Sequence, residues 1–205
     1  MAKKTFSNTY IFIYSAALVV VAALILTVVS VSLKPLQQKN QAAETKQMIL
    51  KTIGVEATRD NADALYAQHI TEQDGYYAFS GGIVLPLRGT GLWGPIWGYL
   101  ALDGSSTVVG AIFDHKGETP GLGGEISSEK FAQQFIGKKM DTQPIALRKN
   151  ADRDNAYEVD AISGGTMTSN GVTDMLESAY NDYQSLPRPT SQTSPTEEER
   201  KEATE

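Results

Sequence analysis

The sequence predicts an α+β protein: one N-terminal transmembrane helix followed by a mainly antiparallel sheet domain with flanking helices. Three observations carry that prediction. No charged side chain occurs between Thr5 and Leu33. The middle of the chain is a succession of short runs rich in aromatic and branched residues, separated by glycines. The segments on either side of those runs have apolar residues at helical spacing. A chain of 205 residues with a net charge of −6 has room for one modest globular domain plus extras.

The first element is "IFIYSAALVVVAALILTVVSVSL", Ile11 to Leu33, somewhat longer than the roughly 20 apolar residues that span a bilayer. A cleaved signal peptide is the rival reading, with Lys3 and Lys4 as its basic start and Ser30 and Ser32 near a cut. Apolar cores of signal peptides run to about 7–15 residues, so an uncleaved anchor is expected. Orientation is weakly encoded, because Lys34 and Lys39 flank the far end almost as Lys3 and Lys4 flank the near one.

Beyond the anchor, Pro35 to about Asn40 reads as a linker. Two short helices follow, one with Ala43, Met48 and Ile49 on its apolar side and Gly54 as its stop, the other with Ala62, Leu65, Tyr66 and Ile70. "YYAFSGGIVLPLRG", "IWGYLALDG" and "TVVGAIFDH" read as consecutive strands. A helix is expected from about Ser127 to Ile136 and a strand from Tyr157 to Ile162. A last helix follows, burying Val172, Met175, Leu176, Ala179 and Tyr183. From Pro187 the chain has too little apolar content to bury and reads as a disordered tail. The resulting division is 1–34 for the start and anchor, 35–60 for linker and first helix, 61–186 for the sheet domain and 187–205 for the tail.

Composition excludes several functions. No basic cluster is longer than a pair, so there is no electrostatic footprint for nucleic acid. Cysteine is absent, which removes disulfides, thiolate zinc sites, iron–sulfur ligation and cysteine nucleophiles from this chain. His69 and His115 alone supply imidazole and read as ordinary residues, so no metal site is expected. Gly89, Gly91 and Gly94 match G-x-G-x-x-G, but Pro95 and "IWGYLAL" continue as strand where a dinucleotide fingerprint requires a helix. The match is a glycine-rich turn. No G-x-S-x-G, Walker A or H-E-x-x-H pattern occurs.

One stretch invites a chemical reading. "DAISGGTMTSNGVTDML", Asp160 to Leu176, joins a strand to a helix through two glycines and a cluster of hydroxyls, without a charged side chain between Asp160 and Asp174. A helix starting near Thr168 or Ser169 would surround Gly164 to Asn170 with N-terminal amides and the positive end of a helix dipole, an anion site. Gly164 and Gly165 would let a phosphate approach, and Thr166, Thr168 and Ser169 would add hydroxyls. On composition alone, capping by Thr168 or Ser169 with the glycines as a simple turn is the better-supported alternative.

"DAISGGT", Asp160 to Thr166, resembles the flavinylation sequence D-x-x-[ST]-G-A-T of the FMN-binding domain family, with Gly165 where the family usually has alanine. "HKGETPGLGGEIS", His115 to Ser127, resembles that family's second flavin loop. "GLWGPIWGYLAL", Gly91 to Leu102, is similar to the version carried by sodium-translocating NADH:quinone reductases. Anchor and motif order agree with the family along nearly the whole chain except the tail.

The resemblance implies a covalent FMN cofactor. A membrane-associated flavin transferase would move FMN from FAD onto the Thr166 hydroxyl as a phosphodiester, with Asp160 and Ser163 as further parts of the recognised sequence. In the second loop, Gly121 and Gly123 would allow close backbone approach, Thr119 would hydrogen-bond the ring's carbonyl edge, Leu122 would shield one face, and Glu118 belongs to the same loop. Trp93 and Trp97 both read equally as sheet core, and of the two the resemblance places Trp93 near the flavin.

Carried further, the resemblance implies an electron-transfer subunit of a six-subunit NADH:ubiquinone or menaquinone oxidoreductase that exports sodium, with no substrate turnover of its own. It would relay electrons from a membrane iron–sulfur centre to the FMN of the large membrane subunit. The chain would be a single-pass protein of the bacterial inner membrane, its C-terminal domain on the extracytoplasmic side. A subunit of the related ferredoxin:NAD oxidoreductases is the nearer alternative, against which "GLWGPIWGYLAL" argues. An anchored domain that binds no flavin is the other.

Overall fold

The structure, a computed structural model, describes residues 7–186. Lys3, Lys4 and the tail from Pro187 lie outside the described residues. The first element, α1 (Asn8–Thr52), is a helix of 45 residues, and it is long and apolar enough to cross a membrane. Its apolar run Ile11–Leu33 extends about 34 Å at about 1.5 Å per residue, a little more than the roughly 30 Å of a hydrocarbon core. The linker expected at Pro35 is instead helical. A proline costs its helix one hydrogen bond, about 3 kcal/mol. The residues that follow, "LQQKNQAAETKQM", are mostly strong helix formers and carry the helix through.

A compact unit begins at Lys46, so it includes the last turns of α1, ahead of the boundary at 61 read from the sequence. Ile49 and Leu50 from this segment are fully buried with Tyr66 and Ile70. Tyr66 comes from α2 (Ala62–His69), and Ile70 follows it. Gly110 makes this packing possible, since a Cβ there would collide with the Thr52 carbonyl. Gly54 has φ +79° and stops the helix where the sequence places the stop.

Five strands form one antiparallel sheet in chain order: β1 (Thr71–Gln73), β2 (Tyr76–Phe79), β3 (Gly82–Thr90), β4 (Pro95–Asp103) and β5 (Val108–His115). β1, an exposed "TEQ", has no apolar alternation to announce it. β3 and β4 pair over their full length, from Gly82↔Asp103 to Thr90↔Pro95. Residues 91–94 are therefore a tight hairpin turn, closed by Gly91 N–H to the Gly94 carbonyl at 2.8 Å. The glycine-rich motif is thus a turn between strands.

After β5 come a 3-10 turn (Gly123–Ser127) and a short α3 (Glu129–Gln133) in place of the single helix expected over 127–136. Ser128 caps α3 by accepting from the Phe131 amide. Past Gln133 the backbone bonds tighten to i→i+3, and Gly137 at φ +83° ends the segment. β6 (Ala146–Arg148) and β7 (Glu158–Asp160) form a small parallel pair, shorter than the Tyr157–Ile162 strand predicted.

The last element, α4 (Thr166–Ser185), lies along β3, burying Val172, Met175, Leu176 and Ala179; Tyr183 is half-buried and bonds Ser106 through its hydroxyl. Two glycines bring it close. A Cβ at Gly171 would meet the Thr90 carbonyl, and one at Gly89 would come 2.9 Å from Met175 Cβ. The main core between sheet and helices contains Leu87, Ile96, Leu100 and a Phe113, Phe131, Phe135 cluster. This close approach sets the first turn of α4 beside the 91–94 turn and the loop after β5.

Candidate functional site

Between β7 and α4 the chain makes one turn. Gly165 N–H bonds the Ile162 carbonyl at 3.1 Å, and Gly164 has φ +73°, a conformation suited to glycine. The first α-helical bond runs from Ser169 N–H to the Gly165 carbonyl at 2.8 Å. α4 therefore starts at Thr166, earlier than the Thr168 or Ser169 expected, and the amides of Thr166, Met167 and Thr168 are its N-terminal donors. The cap position is held by Gly165, which supplies no side-chain bond.

The hydroxyls of this stretch separate sharply. Thr166 is exposed. Thr168 is 1% exposed and donates its hydroxyl to Glu118 Oε2 at 2.6 Å. Ser169 is 3% exposed, and its Oγ accepts from the Ile162 amide at 3.0 Å. Neither of the sites expected for the helix cap acts as one. Thr168 and Ser169 tie the helix to its surroundings, and Thr166 has the accessible oxygen.

Glu118 is 4% exposed and uses both carboxylate oxygens within the protein. Oε2 accepts from Thr168, and Oε1 accepts from the Trp93 amide at 2.8 Å. The Glu118 amide donates to His115 Nδ1 at 3.2 Å, which makes that nitrogen the unprotonated one in this arrangement. Burial pushes the Glu118 carboxyl up, but the hydrogen bonds from the Thr168 hydroxyl and the Trp93 amide hold it below its ordinary value. Glycines clear the space around it: a Cβ at Gly91 would strike Oε1, and one at Gly123 would strike Oε2 and the Thr168 hydroxyl. The family resemblance places Glu118 in a flavin loop; the structure makes it a strut joining the 91–94 turn, the 115–123 loop and α4.

Around these groups lies an open cleft of about 150 Å³, lined by Leu92, Trp93, Glu118, Thr119, Leu122, Gly123 and residues 164–168. Its rim is apolar and unusually exposed: Trp93 is 68% exposed, Met167 60%, and Leu92 and Leu122 are exposed as well. Of the residues singled out from sequence, Trp93, Glu118, Thr119, Leu122, Gly123, Gly164, Gly165, Thr166 and Thr168 line this cleft. Leu92 and Met167 were missed. Met167 had a signal, since it falls off the buried stripe of α4.

The remaining candidates lie elsewhere. Asp160, Ser163 and Gly121 line a neighbouring cavity of about 830 Å³. The Asp160 carboxylate accepts from the Ala151 amide at 2.9 Å, which ties β7 to the preceding loop. Ser169 is enclosed behind the turn, and Trp97 lies mid-strand, half-buried, opposite Arg88 and Asp114. Among the described residues no cluster of His, Asp and Glu could hold a metal.

The residues present suit a flavin joined through its phosphate. An exposed hydroxyl stands at the cleft, helix amides surround its base, and four apolar side chains offer surface to a planar ring. Enclosed ligand pockets usually measure about 300–1,000 Å³. This cleft is smaller, so a flavin here would be only partly covered.

The FMN-binding domain family matches residues 91–181, a span that includes every residue lining the cleft. The NqrC chain of the Na(+)-translocating NADH-quinone reductase of Neisseria meningitidis is 46% identical over 98 residues, 45% of this chain and 38% of that protein. Its counterpart from Vibrio alginolyticus is 41% identical over 96 residues, 44% of this chain and again 38% of its own length. The chain thus spans well under half the length of these curated relatives. The crystal structure of a Shewanella oneidensis NqrC, 19% identical, covers 70% of this chain and 97% of its own with a TM-score of 0.57, a likeness of fold. The crystal structure of the corresponding Na(+)-translocating NADH-quinone reductase protein from Parabacteroides distasonis superposes with a TM-score of 0.68 at 33% identity, covering 78% of this chain and 98% of that one. With that coverage and identity, the chain belongs to the NqrC family of Na(+)-translocating NADH-quinone reductases.

Proposed function

We propose that this chain is the membrane-anchored, FMN-bearing electron-transfer subunit of a sodium-exporting NADH:quinone reductase, with the FMN phosphate esterified to Thr166. The observation that carries the reading is the contrast among three neighbouring hydroxyls: Thr166 is exposed at the cleft, while Thr168 and Ser169 are buried and committed to Glu118 and Ile162. Of these three hydroxyls, Thr166 is the one open to a transferase approaching from solvent. In that step the Thr166 Oγ forms a bond to the flavin-side phosphorus of FAD, the pyrophosphate bond breaks, AMP leaves, and the hydroxyl proton passes to a base of the transferase.

The phosphodiester keeps one negative charge, which the N-terminal amides of α4 offset. Leu92, Trp93, Leu122 and Met167 line the ring's resting place, and Thr119 offers a polar group at its edge. Bound FMN supplies reversible electron acceptance and donation. A shallow, partly open cleft suits that chemistry, because the ring stays within reach of other proteins while the covalent bond prevents its loss. We infer that this subunit stands between an iron–sulfur centre of the membrane subunits and a second covalent FMN on the large membrane subunit, with sodium crossing elsewhere. α1 anchors it in the bacterial inner membrane and the sheet domain faces the extracytoplasmic side, where the transferase works.

The test is peptide mass spectrometry of the native chain with in-gel flavin fluorescence after denaturation. FMN mass on the peptide containing Thr166, with a folded but non-fluorescent Thr166→Ala variant, is the expected result. FMN on Thr168 or Ser169, or a native chain without covalent flavin, would overturn the assignment.

A further inference from the structure

Glu118 does more than hold three loops together. Thr52, Glu118, Thr168 and Ser169 are the buried polar or charged side chains among the described residues, and two of these, Glu118 and Thr168, line the cleft. Glu118 is the one of them that carries a charge. A fold that needed only a strut could tie Trp93 to Thr168 with a neutral amide, whose oxygen would accept from Trp93 and whose NH₂ would meet the Thr168 hydroxyl. Retaining a carboxylate costs desolvation, and here it sits in the lining of the cleft itself.

The charge is also isolated. No lysine or arginine lines the cleft, and among the described residues none forms an ion pair with Glu118. Its donors are the Thr168 hydroxyl and the Trp93 amide, both of them neutral. Hydrogen bonds from neutral groups stabilise an anion while leaving its net charge in place. Where water is largely excluded, such a charge acts strongly over a few ångströms.

We propose that Glu118 is a potential-setting residue: its fixed negative charge beneath the cleft makes addition of an electron to the bound flavin less favourable, holding the midpoint potential low. This rests on the FMN reading above. An electron entering the ring brings negative charge toward a carboxylate held in place at both oxygens, by the Trp93 amide and the Thr168 hydroxyl. A flavin so poised is the stronger reductant for its acceptor. Thr168 and the Trp93 amide are then positioning groups, acting on the flavin through the carboxylate they fix.

The experiment is a mediated redox titration of the purified full-length flavinylated chain, compared with Glu118→Gln and Glu125→Gln. Gln at 118 keeps the shape and both partners but removes the charge, whereas Glu125 is exposed and lies outside the cleft lining. The expected result is a more positive midpoint potential for E118Q, an unchanged one for E125Q, and equal covalent flavin in all three. An unchanged potential in a fully flavinylated E118Q overturns the proposal and leaves the FMN reading standing. A native chain without flavin overturns both.

Should E118Q fail to fold, infrared difference spectra of the wild-type chain on flavin reduction, with ¹³C-glutamate labelling, decide the matter. An isotope-sensitive carboxylate band that shifts with the flavin's redox state supports the coupling; its absence refutes it.

Discussion

Replacing Thr168 with valine should destabilise the domain far more than the same change at Thr166, two residues away. Valine keeps threonine's volume and branching, so the cavity term is small and the hydroxyl is the variable. At Thr168 that hydroxyl is 1% exposed and bonds Glu118 at 2.6 Å. Hydrogen bonds to charged groups contribute roughly 1.5–3 kcal/mol, and an unsatisfied buried acceptor costs a similar amount. These are two accounts of one loss, so about 2–3 kcal/mol is expected. At roughly 2–4 °C per kcal/mol for a chain of this size, T168V should unfold about 5–10 °C below wild type. Thr166 is exposed, and T166V should stay within about 0.5 kcal/mol. Thermal unfolding of the full chain in detergent, followed by tryptophan fluorescence at neutral pH in flavin-free protein, makes the comparison. Equal midpoints for the two variants would refute the strut.

Acid should weaken the domain partly through Glu118 and Asp103. In both, burial raises the carboxyl, but hydroxyl and amide donors outweigh it and the folded value lies below the ordinary one. The unfolded chain then takes up protons first, so stability is fully present above about pH 4–4.5 and is lost as pH falls through the folded values. Unfolding midpoints measured from about pH 6 to about pH 3 should fall less steeply in E118Q than in wild type, and parallel curves would remove Glu118 from that account. Gly165→Ala should be nearly neutral: φ is −111° and the new Cβ would sit 3.0 Å from Ile162 Cγ2, asking a shift of a few tenths of an ångström. Gly164→Ala, at φ +73°, should cost about 1–2 kcal/mol and reduce flavin attachment; in-gel fluorescence and unfolding would contradict this if the two variants behaved alike. Protease added to intact spheroplasts should remove the sheet domain and leave a small fragment containing the α1 anchor, whereas protection of a protease-sensitive domain would reverse the topology.

The long-range plan of the fold was legible because its signals repeat. Alternating apolar residues mark β3, β4 and β5, glycines mark their turns, and the Val172, Met175, Leu176, Ala179 stripe marks α4. What escaped was either too short to show a period or decided by neighbours. β1 has three exposed polar residues and becomes a strand because β2 supplies a ladder. β6 is three residues whose Leu147 amide is fixed by the Thr173 hydroxyl of α4 at 3.1 Å, a partner 26 positions away. Pro35 reads locally as a break, but one missing bond cannot outweigh the helix formers that follow it.

The site divides along the same line. Thr166 could be singled out because the family motif that "DAISGGT" resembles is local in sequence, and the glycines beside it because the turn needs them. Glu118, Thr168 and Ser169 could be placed at the site from sequence but not sorted within it, since the sorting depends on α4 reaching the 115–123 loop. That approach rests on Gly89 and Gly171, which carry no chemistry and drew attention only as part of a dinucleotide motif or not at all. Because they let α4 lie against Thr90 and Ile96, the Thr168 hydroxyl arrives at Glu118 and turns inward, and Thr166 is left facing out. The distinction between an exposed hydroxyl and a buried structural one two residues away is therefore made in the packing of β3 against α4, remote from the stretch that contains both.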